Sequence, residues 1–251
     1  GNPTQYLVDG KPVDMQKTVV TVDKGNGATE TRTLYSTKHG PISTEVQGQN
    51  LFAWSADNAY SLFDANANSL RVVNQFFAFN RAQSVADMKK ALYRYQGVPW
   101  VNTIAADSKG NAMYADISVV PNLTDARVEQ CNTPGLGAIA WDQFKVAVLD
   151  GSTSSCDMQK APGAVIKGVL PPDQMPLRIR KDFGSNMNDS YWLSNPKDPI
   201  TGYPSIIGNE GTARSLRTRN GLNQIEERLA NGGKFTPVTL REFIDNNRHY
   251  G

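Results

Sequence analysis

The order in which two hydrophobic periods appear along the chain constrains its fold more than any other sequence feature. Residues 17–23 (Lys-Thr-Val-Val-Thr-Val-Asp) and 31–37 (Thr-Arg-Thr-Leu-Tyr-Ser-Thr) alternate and are rich in β-branched side chains, as half-buried strands are. Between them lies Lys24-Gly25-Asn26-Gly27-Ala28, a turn composition that permits positive φ, so the pair reads as a hairpin. Further short strands are expected at Pro41–Val46 and Leu51–Ser55. The period then changes. Leu70, Val73, Phe76 and Phe77 fall at helical spacing, and Ser84 followed by Asp87 is a capping-box-like start for a second helix through Met88, Leu92 and Tyr95, with Pro99 as its stop.

Beyond Pro99, Trp100–Ala106 and Ala112–Val119 flank Asp107-Ser108-Lys109-Gly110-Asn111, a second hairpin signal. Residues 121–176 carry Pro-Gly and Pro-Pro dipeptides and are expected to run over the surface as a loop. Short extended pieces are expected at Leu177–Asp182 and from Asn186 onward. Helices are expected at Ser215–Leu229, stopped by Asn231-Gly232-Gly233, and at Leu240–Asn246, boxed by Thr239 and Glu242. Strands first and then helices mixed with strands predict an α+β protein; the βαβ alternation of a parallel doubly wound sheet is missing. The division by composition is a β-rich part at residues 1–60, an α+β part at 61–220 and a helical segment at 221–251.

The 26 basic residues against 24 acidic ones leave a formal net charge of +2, too little for the basic footprint of a nucleic-acid binder. No apolar run approaches the ~20 residues that cross a bilayer, and no signal peptide is expected at Gly1-Asn2-Pro3-Thr4. Cys131 and Cys156 lie in a Gly-, Ser-, Thr- and Pro-rich stretch. A disulfide there would close a loop of about 25 residues, worth roughly 3 kcal/mol, and would require an oxidising compartment. Two unrelated reduced thiols are the alternative.

Conventional catalytic sets fail. There are two histidines, His39 and His249, and no nucleophile elbow, phosphate-binding loop, dinucleotide fingerprint or zinc-binding pair. A triad on His39 competes with a structural histidine at a strand boundary. The remaining polar cluster is Ser185-Asn186-Met187-Asn188-Asp189-Ser190-Tyr191-Trp192. An asparagine amide donates without titrating, which suits an oxyanion hole; the competing reading is a turn whose Asn and Asp side chains bond their own backbone.

The stretch Asn186-x-Asn188-Asp189-Ser190-x-Trp192-Leu193-Ser194-Asn195-Pro196, continued by Gly202 and Arg217-Thr218-Arg219, resembles a signature of the penicillin-acylase-type N-terminal-nucleophile hydrolases. So do Tyr6-Leu7-Val8-Asp9-Gly10, His39-Gly40-Pro41, Asp64-Ala65-Asn66 and Gly97-Val98-Pro99-Trp100-Val101-Asn102-Thr103. The blocks keep the family's order across essentially the whole chain, and they are most similar to the acyl-homoserine-lactone and aculeacin-type acylases.

This resemblance implies part of an αββα N-terminal-nucleophile hydrolase core within a large subunit, and a secreted or periplasmic enzyme matured from a precursor. In that family the first serine of the large subunit attacks an amide and its own α-amino group is the base, so no histidine is needed. The resemblance places Asn188 at the oxyanion asparagine and Arg217 at the arginine that orients it, with Arg219 as competitor. Trp100 and Val101 match acyl-pocket residues. Phe76 falls where a tryptophan can line that pocket; core packing is the competing reading for Phe76 and Trp100.

Tyr6–Gly10 aligns well beyond the family's processed serine. The nucleophile, its amine and the backbone oxyanion donor are therefore expected outside this sequence, and the isolated chain is expected to be inactive. The expected partners are an acylated small-molecule substrate, the remaining large-subunit segments and the small subunit. No cofactor is expected; calcium occurs in the family, but no ligand set is matched here. A noncatalytic folded or binding module is the alternative.

Overall fold

The computed structural model describes residues 2–45, 50 and 52–249, and no helix in that range is long and apolar enough to cross a membrane. Its contacts divide into two units: residues 1–67 with 126–159, and residues 68–125 with 160–251.

In the first unit, β1 (Gln5–Val8) and β2 (Lys11–Asp14) form a hairpin absent from the sequence expectations. Its turn residues Asp9 and Gly10 both have positive φ, 50° and 76°, as a tight two-residue connection requires. The expected hairpin follows as β3 (Gln16–Asp23) and β4 (Thr29–Thr37), in register from Gln16 opposite Ser36 to Asp23 opposite Thr29. The strand expected at Pro41–Val46 is only β5 (Gly40–Pro41), continued by a single bridge from Ile42 to Ser61; Val46 lies outside the described residues. Residues 52–55 of the strand expected at Leu51–Ser55 are not in a strand, and Leu51 lies outside the described residues.

Lys38 and His39 make the turn between β4 and β5. Gly40 has φ 137° and an added Cβ would sit 2.0 Å from the Leu62 carbonyl oxygen, so only glycine fits. His39 is partly buried, with Nε2 3.1 Å from the Gly151 carbonyl oxygen. Among the described residues no serine hydroxyl bonds its ring.

Residues 121–176 correct the sequence expectation. They contain α3 (Asp125–Cys131) and α4 (Leu136–Phe144), and Val169, Leu170 and Met175 are core residues. Both helices are under three turns, too short for periodicity to stand out, and α4 has an almost continuous apolar sequence, Leu-Gly-Ala-Ile-Ala-Trp. Cys131, at the end of α3, is disulfide-bonded to Cys156 in a 3₁₀ turn, Cα to Cα 5.6 Å.

In the second unit, α1 (Arg71–Arg81) and α2 (Val85–Tyr95) form the expected helix pair. The Ser84 hydroxyl accepts from the Asp87 N–H at 3.1 Å, and the Asp87 carboxylate accepts from the Gln83 N–H. α2 stops at Gln96, in the left-handed region at φ 40°, ahead of Pro99. Gln75 and Gln96 are fully buried. Gln75 Oε1 accepts from the Gly97 N–H at 3.1 Å, and Gln96 Nε2 donates to the Ser118 and Leu170 carbonyls at 3.2 and 2.7 Å.

These amides fix the course of the 96–99 segment against α1. At Gly97 an added Cβ would lie 2.4 Å from the Arg71 carbonyl oxygen. Gly97→Ala is expected to destabilise this unit by about 1–3 kcal/mol, because the obstructing atom is helix backbone and not a movable side chain. Urea unfolding of variant and parent checks this.

The second hairpin is β6 (Thr103–Ala106) and β7 (Ala112–Ala115), and β8 (Leu177–Arg180) pairs antiparallel on the far side of β7. The Asn111 side-chain and backbone N–H groups hold the Asp107 carboxyl at about 2. Leu92, Val98, Met113, Ala115, Ile117, Leu170 and Met175 pack into one core cluster, and Tyr114, Tyr191 and Ile200 into another. Burying each large side chain stabilises by roughly 1.5–3 kcal/mol. The chain ends with α5 (Leu216–Ala230) and α6 (Pro237–Asp245). The box on α6 is Thr236 with Thr239, not Thr239 with Glu242; Pro237 at the first helical position moves the start of the helix upstream.

Candidate active site

Residues 183–195 form turns and a 3₁₀ turn (Tyr191–Leu193) rather than the expected extended piece. Most of its polar side chains are consumed in building the loop. The Ser185 N–H and hydroxyl both donate to the Ser194 carbonyl, at 2.9 and 3.0 Å. Asn186 accepts from the Asn188 N–H at 2.7 Å and donates to the Asp189 carbonyl at 3.0 Å. Asn195 is fully buried, donating to the Phe183 carbonyl and accepting from the Lys197 N–H, both at 2.9 Å. The local backbone bonding expected of a turn is therefore seen at Asn186.

Asn188 is different. It is exposed and left-handed, at φ 67°, a conformation that asparagine tolerates better than most residues. Its side chain is gripped from α5. Arg217 Nη2 donates to Asn188 Oδ1 at 2.9 Å and to the Met187 carbonyl at 2.6 Å. A guanidinium can only donate, so the amide atom facing it is the oxygen, and Nδ2 points away. No partner for Nδ2 exists among the described residues. Arg219, two positions on and so turned to a different face of α5, is exposed.

Asp189 ties the loop to the same helix end. Its carboxylate accepts from the Ser215 N–H and hydroxyl, both at 3.0 Å. The Thr218 hydroxyl, with Ser215, holds it below the usual carboxylate range against the opposing pull of burial. The anion also sits where the helix N-terminus favours negative charge. Arg214, which is buried, lies over the Trp192 ring at 4.8 Å and donates to the Ser190 carbonyl at 3.4 Å.

Asn188, Asp189 and Arg214 line an open pocket of about 620 Å³, together with Trp100, Asp116 and Ser190; this size suits a small-molecule ligand. Of the residues that the resemblance assigns to substrate, Trp100 borders this pocket, whereas Phe76 and Val101 do not. Within these residues Trp100 is 80%, Phe76 47% and Val101 46% exposed. Phe76 meets Phe79 edge-on at 5.8 Å. A second cleft, of about 410 Å³, lies between α5 and α6, where the Arg248–Glu227 ion pair is already closed. Among the described residues no three His, Cys, Asp or Glu side chains converge to hold a metal ion.

Sequence reasoning missed Asp116 and Arg214, and it named Ser190 within the polar cluster without giving it a role. A signal for Asp116 existed: it is a single carboxylate inside the run Ala-Met-Tyr-Ala-Asp-Ile-Ser-Val-Val, where a charge is costly unless it has a use. Arg214 sits in a loop with no periodic context.

The described backbone is similar to that of the thermostable penicillin G acylase from Alcaligenes faecalis. The TM-score is 0.57 at 15% identity, covering 90% of this chain and 34% of that one. The shared architecture is thus part of an N-terminal-nucleophile hydrolase fold, with mixed helix and sheet. The family model described as Penicillin amidase matches residues 1–251, and the chain belongs to that family. It is 42% identical to aculeacin-A acylase of Actinoplanes utahensis, over 100% of this chain and 32% of that protein. It is 39% identical to the acyl-homoserine lactone acylase PvdQ of Pseudomonas fluorescens, over 89% and 28% respectively. The chain spans about a third of the length of such relatives.

Proposed function

We propose that this chain supplies the oxyanion-binding asparagine of a secreted or periplasmic acylase, which hydrolyses the amide bond of N-acyl-homoserine lactones, penicillins or acylated lipopeptides. The observation that carries this reading is the Arg217–Asn188 hydrogen bond: it fixes the amide so that Nδ2 remains available to a developing oxyanion. When a serine hydroxyl attacks the amide carbon, the carbonyl oxygen becomes an anion. A donor aligned beforehand stabilises that charge without reorganising at the moment of reaction.

The serine nucleophile, its amine and a backbone donor come, in this reading, from parts of the protein outside these 251 residues, so the chain alone does not turn over. The remaining large-subunit segments and the small subunit are its partners. The β6-β7-β8 sheet with α1 and α2 is read as a portion of the αββα core, and the exposed Phe76, Trp100 and Val101 as walls of an acyl pocket, where each buried methylene gains roughly 0.8 kcal/mol. The Cys131–Cys156 disulfide supports an oxidising compartment. The reaction uses no cofactor.

The test is release of free amine from an acyl-homoserine lactone, an acylated lipopeptide and a penicillin by the intact processed protein. Hydrolysis of at least one is expected, and failure on all three overturns the reading. Arg217→Ala is expected to lower kcat about tenfold or more, and to have much less effect when Asn188 is already alanine, because the two act as one unit. Equal, additive losses in the four-variant cycle would separate Arg217 from Asn188.

A further inference from the structure

Asp116 is a carboxyl lining the pocket that the proposed oxyanion chemistry leaves unused. It directly follows β7, where its N–H donates to the Pro176 carbonyl at 2.8 Å, and three residues later the Val119 N–H donates to the Val98 carbonyl at 2.9 Å. The backbone is therefore pinned on both sides, and the carboxyl is largely shielded yet open to the pocket. Among the described residues its side chain has no hydrogen-bond or ion-pair partner.

The nearest candidate for neutralisation does not serve. Arg214 borders the same pocket, but its guanidinium is spent on the Thr212 carbonyl and hydroxyl, the Ser190 carbonyl and the Trp192 ring. The charge that acts on Arg214 is that of Asp189. The other titratable groups around Asp116 are the phenols of Tyr114 and Tyr191, both pushed upward: Tyr114 by burial and then by the Asp116 charge, Tyr191 by burial, then by its hydrogen bond to Glu210 and the Glu210 charge, and only after these by Asp116. Burial alone moves the Asp116 carboxyl up to about 6. Ser190 also borders the pocket, but its hydroxyl is buried without a partner, against Gly208, where an added Cβ would lie 2.6 Å from Ser190 Oγ.

A shielded carboxyl without a partner is costly to keep and is commonly kept for a ligand. We infer that Asp116 is a specificity-determining residue: it accepts a hydrogen bond from a donor group, a hydroxyl or an amine, on the substrate whose amide lies at Asn188. The inference rests on the acylase reading and refines its substrate class to acyl amides that carry a polar donor near the scissile bond.

The experiment uses the intact processed protein and simple acyl amides in matched pairs. One pair differs by a hydroxyl on the acyl chain, the other by a hydroxyl or amine on the leaving group, so the arms identify which side bears the donor. In the parent protein kcat/KM is expected to be about tenfold or more higher for the donor-bearing member of one pair, as befits a hydrogen bond to a charged acceptor. That preference should rise with pH through about 6, as the carboxyl ionises, and both preference and pH dependence should vanish in Asp116→Asn.

Hydrolysis by the parent with no preference in either pair, or a preference unchanged in Asp116→Asn, overturns the inference and leaves the acylase reading intact. Absence of hydrolysis of every amide overturns the acylase reading. A calorimetric arm serves where Asp116→Asn does not fold: near pH 6, the donor-bearing product should bind the parent with release of a proton, and its plain counterpart without. Equal proton release would refute the assignment.

Discussion

Replacing Asn188 by alanine in the intact processed protein is expected to lower kcat about 10²-fold, with KM changed far less, because the lost interaction is made with charge that exists only in the transition state. The structural cost of the change is small. Asn188 is exposed, and among the described residues its side-chain amide is bound only by Arg217, so the loop keeps the bonds made by Asn186, Asp189 and Asn195. Its left-handed backbone would be somewhat strained as alanine, which thermal unfolding would register as a small shift. Single-turnover kinetics with an acyl amide separate the two effects: a large loss in the acylation rate at nearly constant melting temperature supports the role, and near-normal turnover refutes it.

Removing the disulfide is expected to cost about as much, in stability instead of rate. Cys131 and Cys156 are 25 residues apart, and on the chain-entropy model a loop of that size contributes about 3 kcal/mol. The loss is not spread evenly. The bridge joins the end of α3 to a 3₁₀ turn, in a region also held by a short set of hydrogen bonds, among them the Thr133 N–H and hydroxyl donating to the Val148 carbonyl and Asn132 Oδ1 accepting from the Val148 N–H at 2.8 Å. Replacing both cysteines by serine should therefore raise amide exchange across residues 126–159 before it alters exchange in α2 or β7. Uniform protection in both forms would mean that the loop is ordered without the bridge.

How much the sequence revealed depended on where the decisive contacts lie. The β3–β4 hairpin and the α1–α2 pair were legible because each is specified by neighbours: Gly25 and Gly27 between alternating strands, and the Ser84 and Asp87 cap. β1 and β2 escaped notice because four-residue strands carry little alternation, and their signal was the Asp9-Gly10 turn alone. α3 and α4 were hidden by short length and by the Pro134-Gly135 dipeptide, which reads as a turn and here precedes a helix.

The site was divided in the same way. Nothing local distinguishes Asn188 from Asn186; family resemblance singled it out, and the reason is tertiary, since Arg217 reaches it from 29 positions away. Asp116 went unread because a carboxylate beside a strand is ordinary until the pocket around it is known.

The grip of α5 on the 185–195 loop has a consequence for timing. Arg217 and Ser215 both belong to the beginning of α5, and helix ends open locally far more readily than the whole domain unfolds. Each such opening would release the Asn188 amide to rotate and free the Asp189 carboxylate at once. An opening free energy of about 1 kcal/mol would leave roughly one molecule in six misaligned at any instant. On the proposed reading, catalytic competence would be a population set by one frayed or docked helical turn, and heat or mild denaturant would drain it well before the core around Leu92 and Met113 gives way.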